Sequence, residues 1–287
     1  MSRDGYRGLA EVTAAAIALG ARLIGASRGG RPIHAITVGA RGPTSLVVAG
    51  LHPLEWIGVE VALAVAARAA AAPPVDRRVV IVPALNVDGI AAVEADRAAG
   101  RRRWRRTSGA DRRSLGVDLN RNFPVGHRPR PWWWWGLPHG GPAPLSEPET
   151  RALAALLDDP ALGPVDRAVS LHSFGRAVLL PWAHRGQRPP HHAALRRHAA
   201  AIAARLPHRY RVWQVGRWRP FRLGGLEVDW LTARGALAMV VECSAGGWRA
   251  TAPATWLAPF AWYNPPAPAG EAADLAAALT PFVLGAP

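Results

Sequence analysis

The sequence predicts a single α/β domain with a central mixed, mainly parallel sheet flanked by helices. Short apolar runs that end in Gly, Pro or a polar residue alternate with longer helical segments along the 287 residues. This alternation is typical of parallel strands joined by covering helices. With 49% hydrophobic residues, the chain has enough apolar side chains for a sizeable core. We find no internal repeat and no clear domain boundary, so one domain is expected over residues 1–287.

The predicted elements follow the hydrophobic pattern in chain order. The pattern predicts helices over residues 8–24, 57–71, 190–205 and 271–281, strands over residues 31–38, 45–50, 78–83, 167–171 and 236–241, and strand-like segments between residues 208 and 228. Another helix is predicted to start at Ser146, where Ser-Glu-Pro-Glu supplies a capping residue, an early proline and acids near the positive end of the helix dipole. Residues 84–89 predict a turn. Residues 127–145, which contain Trp132 to Trp135, predict a loop packed by its own aromatic side chains.

Charge and composition argue against a nucleic-acid-binding protein. The formal net charge is +15, yet every one of the 35 basic residues is Arg, a bias that also fits a GC-rich coding sequence. Arg residues are densest between positions 101 and 113, where they can bind phosphates. No recognition helix, zinc finger or RNA-binding signature accompanies the cluster. We therefore favour an anionic substrate or a solvated surface over nucleic acid.

The sequence also limits the cellular location. No stretch reaches about 18 uninterrupted apolar residues, so no membrane-spanning helix and no membrane contact are predicted. The N-terminal segment is interrupted by polar residues and predicts an amphipathic helix, not a signal peptide. Cys243, the single cysteine, excludes an intrachain disulfide and fits a reducing compartment. We expect a cytoplasmic protein, leave export open, and cannot predict the oligomeric state.

The best candidate for chemistry is the segment His52-Pro53-Leu54-Glu55, which follows directly on strand 45–50. Ligands gather at the carboxyl ends of strands in open α/β sheets. An imidazole and a carboxylate three residues apart can reach one metal ion, and such nitrogen and oxygen ligands suit zinc. Alone the pattern is weak, because short motifs of this kind also arise by chance.

Two further strand ends supply matching residues. Strand 167–171 runs into His172, and strand 236–241 runs into Glu242. Two His and one Glu with an open fourth position form a catalytic zinc arrangement, and a second carboxylate beside it can act as general base on water. Either residue alone fits a core histidine or an ion-pair partner. The coincidence of both at strand ends favours a metal site.

Several motifs in order resemble the zinc carboxypeptidase family typified by carboxypeptidase A. The resemblance covers about residues 6–245, and its motifs are Ser27-Arg-Gly-Gly-Arg-Pro-Ile33, His52-Pro-Leu-Glu-Trp56, Pro83-Ala-Leu-Asn-Val-Asp-Gly89, Trp104-Arg-Arg-Thr107, Gly116-Val-Asp-Leu-Asn-Arg-Asn-Phe123, Ser146-Glu-Pro-Glu149, His172-Ser-Phe-Gly175 and Glu242. It implies the fold of that family and a peptide or peptide-like substrate with a free carboxylate. Because no propeptide precedes the first predicted helix, we expect the catalytic domain alone.

The resemblance also implies residue roles at the metal. His52, Glu55 and His172 match the ligands of one Zn²⁺ per chain, and Glu242 matches the base and proton shuttle. Asp118 matches the carboxylate that orients the first ligand histidine.

Other matched residues would bind the substrate. Asn120 and Arg121 match the pair that holds the terminal carboxylate of the substrate, a task that suits a guanidinium group. Arg105 matches the arginine that stabilises the oxyanion together with zinc. Ser173 and Phe174 would line the substrate path.

Two positions depart from the family pattern. Leu54 stands where these enzymes usually carry Arg, which removes a contact to the upstream part of a peptide. Counting back from Asp229-Trp230, which resembles the family's Asp-Trp pair, the position of the substrate-capping tyrosine falls on Phe221. Tyr210 or Tyr263 can replace it only if this alignment is wrong. The same count places Val228 at the position that sets side-chain preference, which favours an aliphatic or aromatic terminal residue.

The sequence therefore predicts a zinc-dependent hydrolase that removes a C-terminal residue, a metallocarboxypeptidase. An alternative of the same fold is a zinc amidase or deacylase acting on cell-wall peptides or small N-acyl amino acids, suggested by Leu54. Arg217, Arg219 and Arg222 lie close to Val228 in the sequence and would instead favour an acidic terminal residue, such as a glutamyl or diaminopimelyl group of peptidoglycan. A third alternative is a metal-free protein that binds anions or nucleic acid in a basic cleft.

Overall fold

The computed structural model describes residues 4–103, 116–129, 139–217 and 222–286. Within these ranges the centre of the molecule is an eight-stranded sheet. Its strands are β1 (Arg22–Ala26), β2 (Pro32–Val38), β3 (Thr44–Ala49), β4 (Arg78–Val82), β5 (Val165–His172), β6 (Ala177–Leu180), β7 (Arg211–Gln214) and β8 (Leu237–Glu242). Their order across the sheet is β1-β2-β4-β3-β5-β8-β6-β7.

The sheet is parallel at its centre and mixed towards its edges. Strands β4, β3, β5 and β8 pair in parallel, and so do β6 and β7. The pairs β1/β2, β2/β4 and β6/β8 are antiparallel. All six residues of β3 are buried, as expected for a parallel strand with both faces covered.

Helices cover this sheet. They are α1 (Leu9–Ala18), α2 (Trp56–Ala71), α3 (Val87–Ala98), α4 (Pro148–Leu157), α5 (His192–Ala204), α6 (Glu227–Ala233), α7 (Pro259–Tyr263) and α8 (Pro268–Val283). Helix α2 packs on α8 and on the central strands β3, β4 and β5, while α6 packs on β5 and β8. The predicted fold class, an α/β domain with a mixed sheet flanked by helices, is confirmed.

The register of the central strands brings three strand ends to one edge of the sheet. Ala49 of β3 pairs with Leu171 of β5, and His172 at the end of β5 pairs with Glu242 at the end of β8. Because these strands are parallel, the residues that follow them leave the sheet on the same side. This edge is where the sequence places its candidate metal and catalytic residues.

The prediction of one helix over residues 8–24 is wrong. Helix α1 ends at Ala18, because Gly20 adopts a φ of +79° and the Ala21 N–H donates to the Ala16 carbonyl. A left-handed glycine with this hydrogen bond terminates a helix, and the chain enters β1 at Arg22 instead.

Polar residues near two helix starts were also misassigned. The turn predicted over residues 84–89 becomes a helix start, because the Asn86 side chain accepts a hydrogen bond from the Gly89 N–H and caps α3. Helix α4 begins at Pro148 with Glu147 as its capping residue, one position later than the predicted cap at Ser146. Between residues 208 and 228 only β7 is a strand among the residues described there, and α6 begins at Glu227.

Candidate metal and catalytic site

A tight turn delivers His52 and Glu55 from the end of β3. Gly50 has a φ of +67°, and a Cβ atom there would lie 3.1 Å from Ala84 Cα, so this turn requires glycine. The Asn86 side chain then donates a 3.0 Å hydrogen bond to the Leu51 carbonyl. The glycine turn and this hydrogen bond therefore fix the backbone that precedes His52.

His52, Glu55 and His172 converge on one point. Glu55 places Oε1 2.8 Å from His52 Nδ1 and Oε2 2.8 Å from His172 Nδ1, and the two Nδ1 atoms are 3.1 Å apart. All three side chains are buried. Their ligand atoms lie within 4.8 Å of one another, close enough to hold one metal ion.

The electrostatics of this cluster suit a cation. Burial alone would raise the pKa of the Glu55 carboxyl, but the His52 and His172 imidazoles outweigh burial and hold that pKa well below its usual range. Glu55 is therefore a carboxylate at neutral pH. Two imidazole nitrogens and one carboxylate match the donor set of a zinc site with an open position.

Asp118 lies behind His52. Its Oδ1 is 3.1 Å from His52 Nε2 and also accepts a 2.9 Å hydrogen bond from the Asn120 N–H. Asp118 is fully buried. A proton on Nε2 that is held by this carboxylate leaves the Nδ1 lone pair of His52 directed at the cluster.

A cavity of about 250 Å³ opens beside the cluster. Its polar lining includes Asn120, Arg121 and Glu242. The Arg121 guanidinium donates a 2.6 Å hydrogen bond to the Asn120 carbonyl, which holds it at the cavity. Glu242 lies opposite His172, as the strand register requires.

The rest of the lining is mostly apolar. These residues are Leu179, Leu180, Val215, Leu223, Leu226, Val228 and Val240. Val228 belongs to α6, is buried and lines the cavity, and its role in side-chain preference stays a prediction. Among the described residues, Arg217 and Arg222 do not line the cavity. Apart from the metal cluster, the charged side chains that line the cavity are Arg121 and Glu242.

The segment after His172 forms one wall. Ser173 donates its N–H to Glu55 Oε2 at 3.2 Å and its hydroxyl to the Tyr263 carbonyl at 2.5 Å. Phe174 is 43% exposed and lies 5.5 Å from the Tyr263 ring, so both rings border the opening. Tyr210 does not line the cavity, and its hydroxyl donates a hydrogen bond to the Cys243 carbonyl.

Some predicted residues lie outside the described part of the chain. These are Arg105, Phe221, Arg219 and Trp132 to Trp135, together with most of the Arg-rich cluster. Their roles stay predictions.

Three polar residues near the cluster were missed by sequence reasoning. Ser170 contacts His172, Glu227 contacts Ser170, and Asn264 contacts the backbone on both sides of Glu55. Burial raises the pKa of Glu227 to about 7. Ser170 was detectable, since it precedes His172 by two residues in a strand and shares its face. Glu227 and Asn264 carry no such local signal.

The chain belongs to the zinc carboxypeptidase family, because the family described as zinc carboxypeptidase matches residues 19–247. Mast cell carboxypeptidase A of Mus musculus is 28% identical over 168 residues, which are 53% of this chain and 37% of that protein. The matched region thus spans little more than a third of this curated relative. The family resemblance stated from the motifs is confirmed, and the family implies zinc.

Solved structures share the fold. Bovine thrombin-activatable fibrinolysis inhibitor, solved in complex with tick carboxypeptidase inhibitor, superposes with a TM-score of 0.74 at 20% identity, covering 98% of each chain. Murein-tripeptide amidase from Escherichia coli O157 gives a TM-score of 0.55 at 20% identity, covering 93% of this chain and 92% of the amidase. In the described part of the chain, no helix has the length and apolar character needed to cross a membrane.

Proposed function

We propose that this protein is a zinc-dependent hydrolase that removes a C-terminal residue from a peptide or peptide-like substrate. The observation that carries the proposal is the convergence of His52, Glu55 and His172 beside a cavity that also contains Glu242 and Arg121. One Zn²⁺ per chain would be held by the two Nδ1 atoms and the Glu55 carboxylate. When bound, zinc polarises a carbonyl and acidifies a water molecule.

Side chains of the protein transfer the proton, bind the substrate carboxylate and stabilise the oxyanion. Glu242 takes a proton from the attacking water and gives it to the leaving amine, as a general base that becomes a general acid. Arg121, with Asn120, binds the terminal carboxylate of the substrate through charge-assisted hydrogen bonds. Arg105 is assigned to the oxyanion by the family resemblance.

The cavity also sets the preferred terminal side chain. Seven aliphatic side chains line it, with Val228 among them, so an aliphatic or aromatic terminal residue is favoured over a charged one. Burying a charged side chain there without a partner would be costly.

Replacement of Glu242 tests the reaction. In Glu242→Gln we expect kcat/KM on blocked dipeptides to fall about 100- to 10,000-fold, the range typical of a lost general base, with one zinc per chain retained. The matched control is Asp158→Asn, which makes the same carboxylate-to-amide change at a surface ion pair with Arg234. Wild-type rates in Glu242→Gln would exclude the proposed mechanism.

A second candidate function is an amidase or deacylase acting on cell-wall peptides or small N-acyl amino acids. It is favoured by the fold likeness to murein-tripeptide amidase over nearly all of both chains. Leu54 also supports it, because this buried side chain offers no charge to the upstream part of a long peptide. A panel of dipeptides, muropeptides and N-acyl amino acids decides between the two functions. The higher kcat/KM on muropeptides or N-acyl amino acids would select the amidase or deacylase.

We also propose that the chain forms one catalytic domain of a cytoplasmic protein. The one sheet formed by the described residues supports a single domain, and the single cysteine, Cys243, fits a reducing compartment. Cell fractionation with an antibody to the native protein tests the location. Recovery outside the cytoplasm would contradict it.

A further inference from the structure

The outer nitrogen of His172 faces a hydroxyl group. His172 Nδ1 points to Glu55 and the metal cluster, whereas Nε2 lies 3.1 Å from Ser170 Oγ. A histidine that binds a metal through Nδ1 carries its proton on Nε2 and needs an acceptor for it. Ser170 Oγ can accept that proton, but only if its own hydroxyl proton goes elsewhere.

Glu227 accepts a hydrogen bond from the Ser170 hydroxyl. Ser170 Oγ lies 2.5 Å from Glu227 Oε2, so the hydroxyl donates to the carboxyl group and its lone pair is left to accept from His172. Ser170 is 2% exposed and Glu227 is fully buried. Bulk water therefore does not compete for either hydrogen bond.

Asn120 cannot replace Ser170 as the acceptor. The Asn120 amide nitrogen is 3.3 Å from His172 Nε2, but an amide nitrogen only donates. Its oxygen already accepts a 3.0 Å hydrogen bond from the Glu227 N–H, which fixes the orientation of the amide. When His172 binds a metal through Nδ1, the hydrogen bonds therefore run from His172 Nε2 to Ser170 and from Ser170 to Glu227.

Packing alone does not explain a carboxyl group at position 227. The neighbours Leu226 and Val228 are apolar and line the cavity, while Glu227 is turned into the protein. Within the described residues, Glu227 Oε1 has no hydrogen-bond partner. A buried polar atom without a hydrogen-bond partner lowers the free energy of unfolding, so an apolar side chain at position 227 would make the fold more stable.

We propose that Glu227, acting through Ser170, is a positioning residue for His172, holding its Nε2 proton and ring orientation so that Nδ1 faces the metal. It does for the second ligand histidine what Asp118 does by direct contact for the first. The inference rests on the proposed zinc site. Groups in such positions raise ligand basicity and fix the tautomer.

Zinc affinity, measured by competition with a chelator, is the readout. We expect Ser170→Ala and Glu227→Leu each to weaken zinc binding about 10- to 100-fold, the usual loss for groups that orient a ligand histidine. Ser170→Thr keeps the hydroxyl and should retain most of the affinity. The double variant should lose little more than either single variant, because the two residues act in one chain.

The control separates positioning from stability. Glu149 is also fully buried near the start of a helix, and it accepts the Arg28 N–H away from the metal cluster. Glu149→Leu should leave zinc affinity unchanged. The metal-free Ser170→Ala/Glu227→Leu protein should unfold at a urea concentration no lower than wild type, since the two substitutions together remove the buried carboxyl group and the hydroxyl that donates to it.

The outcomes distinguish the two proposals. If the wild-type protein binds zinc stoichiometrically and Ser170→Ala binds it equally tightly, the positioning role is excluded while the zinc site stands. If the wild-type protein does not retain zinc at all, the proposed function itself fails. Should Glu227→Leu not fold, the small Ser170→Ala change decides the question alone.

Discussion

Asn264 provides a quantitative test of how the metal segment is held. Its side-chain oxygen accepts a 2.9 Å hydrogen bond from the Ile57 N–H, and its nitrogen donates to the Leu54 carbonyl at 2.6 Å. Ile57 lies in the first turn of α2, where backbone N–H groups have no partner within the helix. A side chain from a distant segment thus caps the helix that begins immediately after Glu55.

The cost of Asn264→Ala follows from these contacts. Two buried backbone groups, the Ile57 N–H and the Leu54 carbonyl, lose their side-chain partner. Each buried group left unsatisfied costs about 1–3 kcal/mol, so a total loss of about 2–6 kcal/mol is expected. The Phe260 carbonyl, which also accepts from the Asn264 side chain, keeps its bond to the Asn264 backbone N–H and adds little.

Urea unfolding of the metal-free protein measures this loss. The matched control is Thr280→Ala, which removes a 2.6 Å hydrogen bond to the Ala276 carbonyl within α8. That carbonyl stays in the helical hydrogen-bond ladder, so a loss of about 1 kcal/mol or less is expected. If Asn264→Ala costs no more than Thr280→Ala, the capping role assigned to Asn264 is wrong.

Three further predictions concern the site and its surroundings. Removing zinc with a chelator should lower the stability by about 3 kcal/mol when free zinc had been near 100 times its Kd, and His52→Ala should abolish this dependence in thermal unfolding. Arg121→Ala should raise KM for substrates with a free terminal carboxylate about 10- to 100-fold, by loss of charge-assisted hydrogen bonds, and should leave the KM of C-terminal amides unchanged. Cys243 is fully buried, and burial raises the pKa of its thiol well above the usual value, so the thiol stays protonated and unreactive. Alkylation at pH 8 to 9 should therefore require unfolding, and fast labelling of the native protein would contradict this.

The sequence predicted most of the central sheet and the metal cluster for a common reason. Buried parallel strands such as β3 are continuous apolar runs, and the polar residue that ends each run marks the edge of the sheet. His52, His172 and Glu242 were found in this way. The cluster of His52, Glu55 and His172 in the structure agrees with the predicted ligand set, although its zinc role stays a proposal.

The missed features depend on information that a local pattern does not contain. Helix α1 was extended too far because Ala and Leu continue past Gly20, and one left-handed residue outweighed their helix propensity. Glu227 and Asn264 contact partners 57 and 207 residues away, so no spacing rule indicates them. Asn264 had one indirect signal, since it is one of only four Asn in the chain and all four are buried.

The long reach of Asn264 has a consequence for biosynthesis. A growing chain emerges from its N-terminus, so His52 and Glu55 leave the ribosome more than 200 residues before the side chain that caps the helix behind them. His172 and Glu242 also follow late. The cluster of His52, Glu55 and His172 is therefore complete only once His172 has been made, 117 residues after Glu55, and under the proposed function zinc would bind after that point.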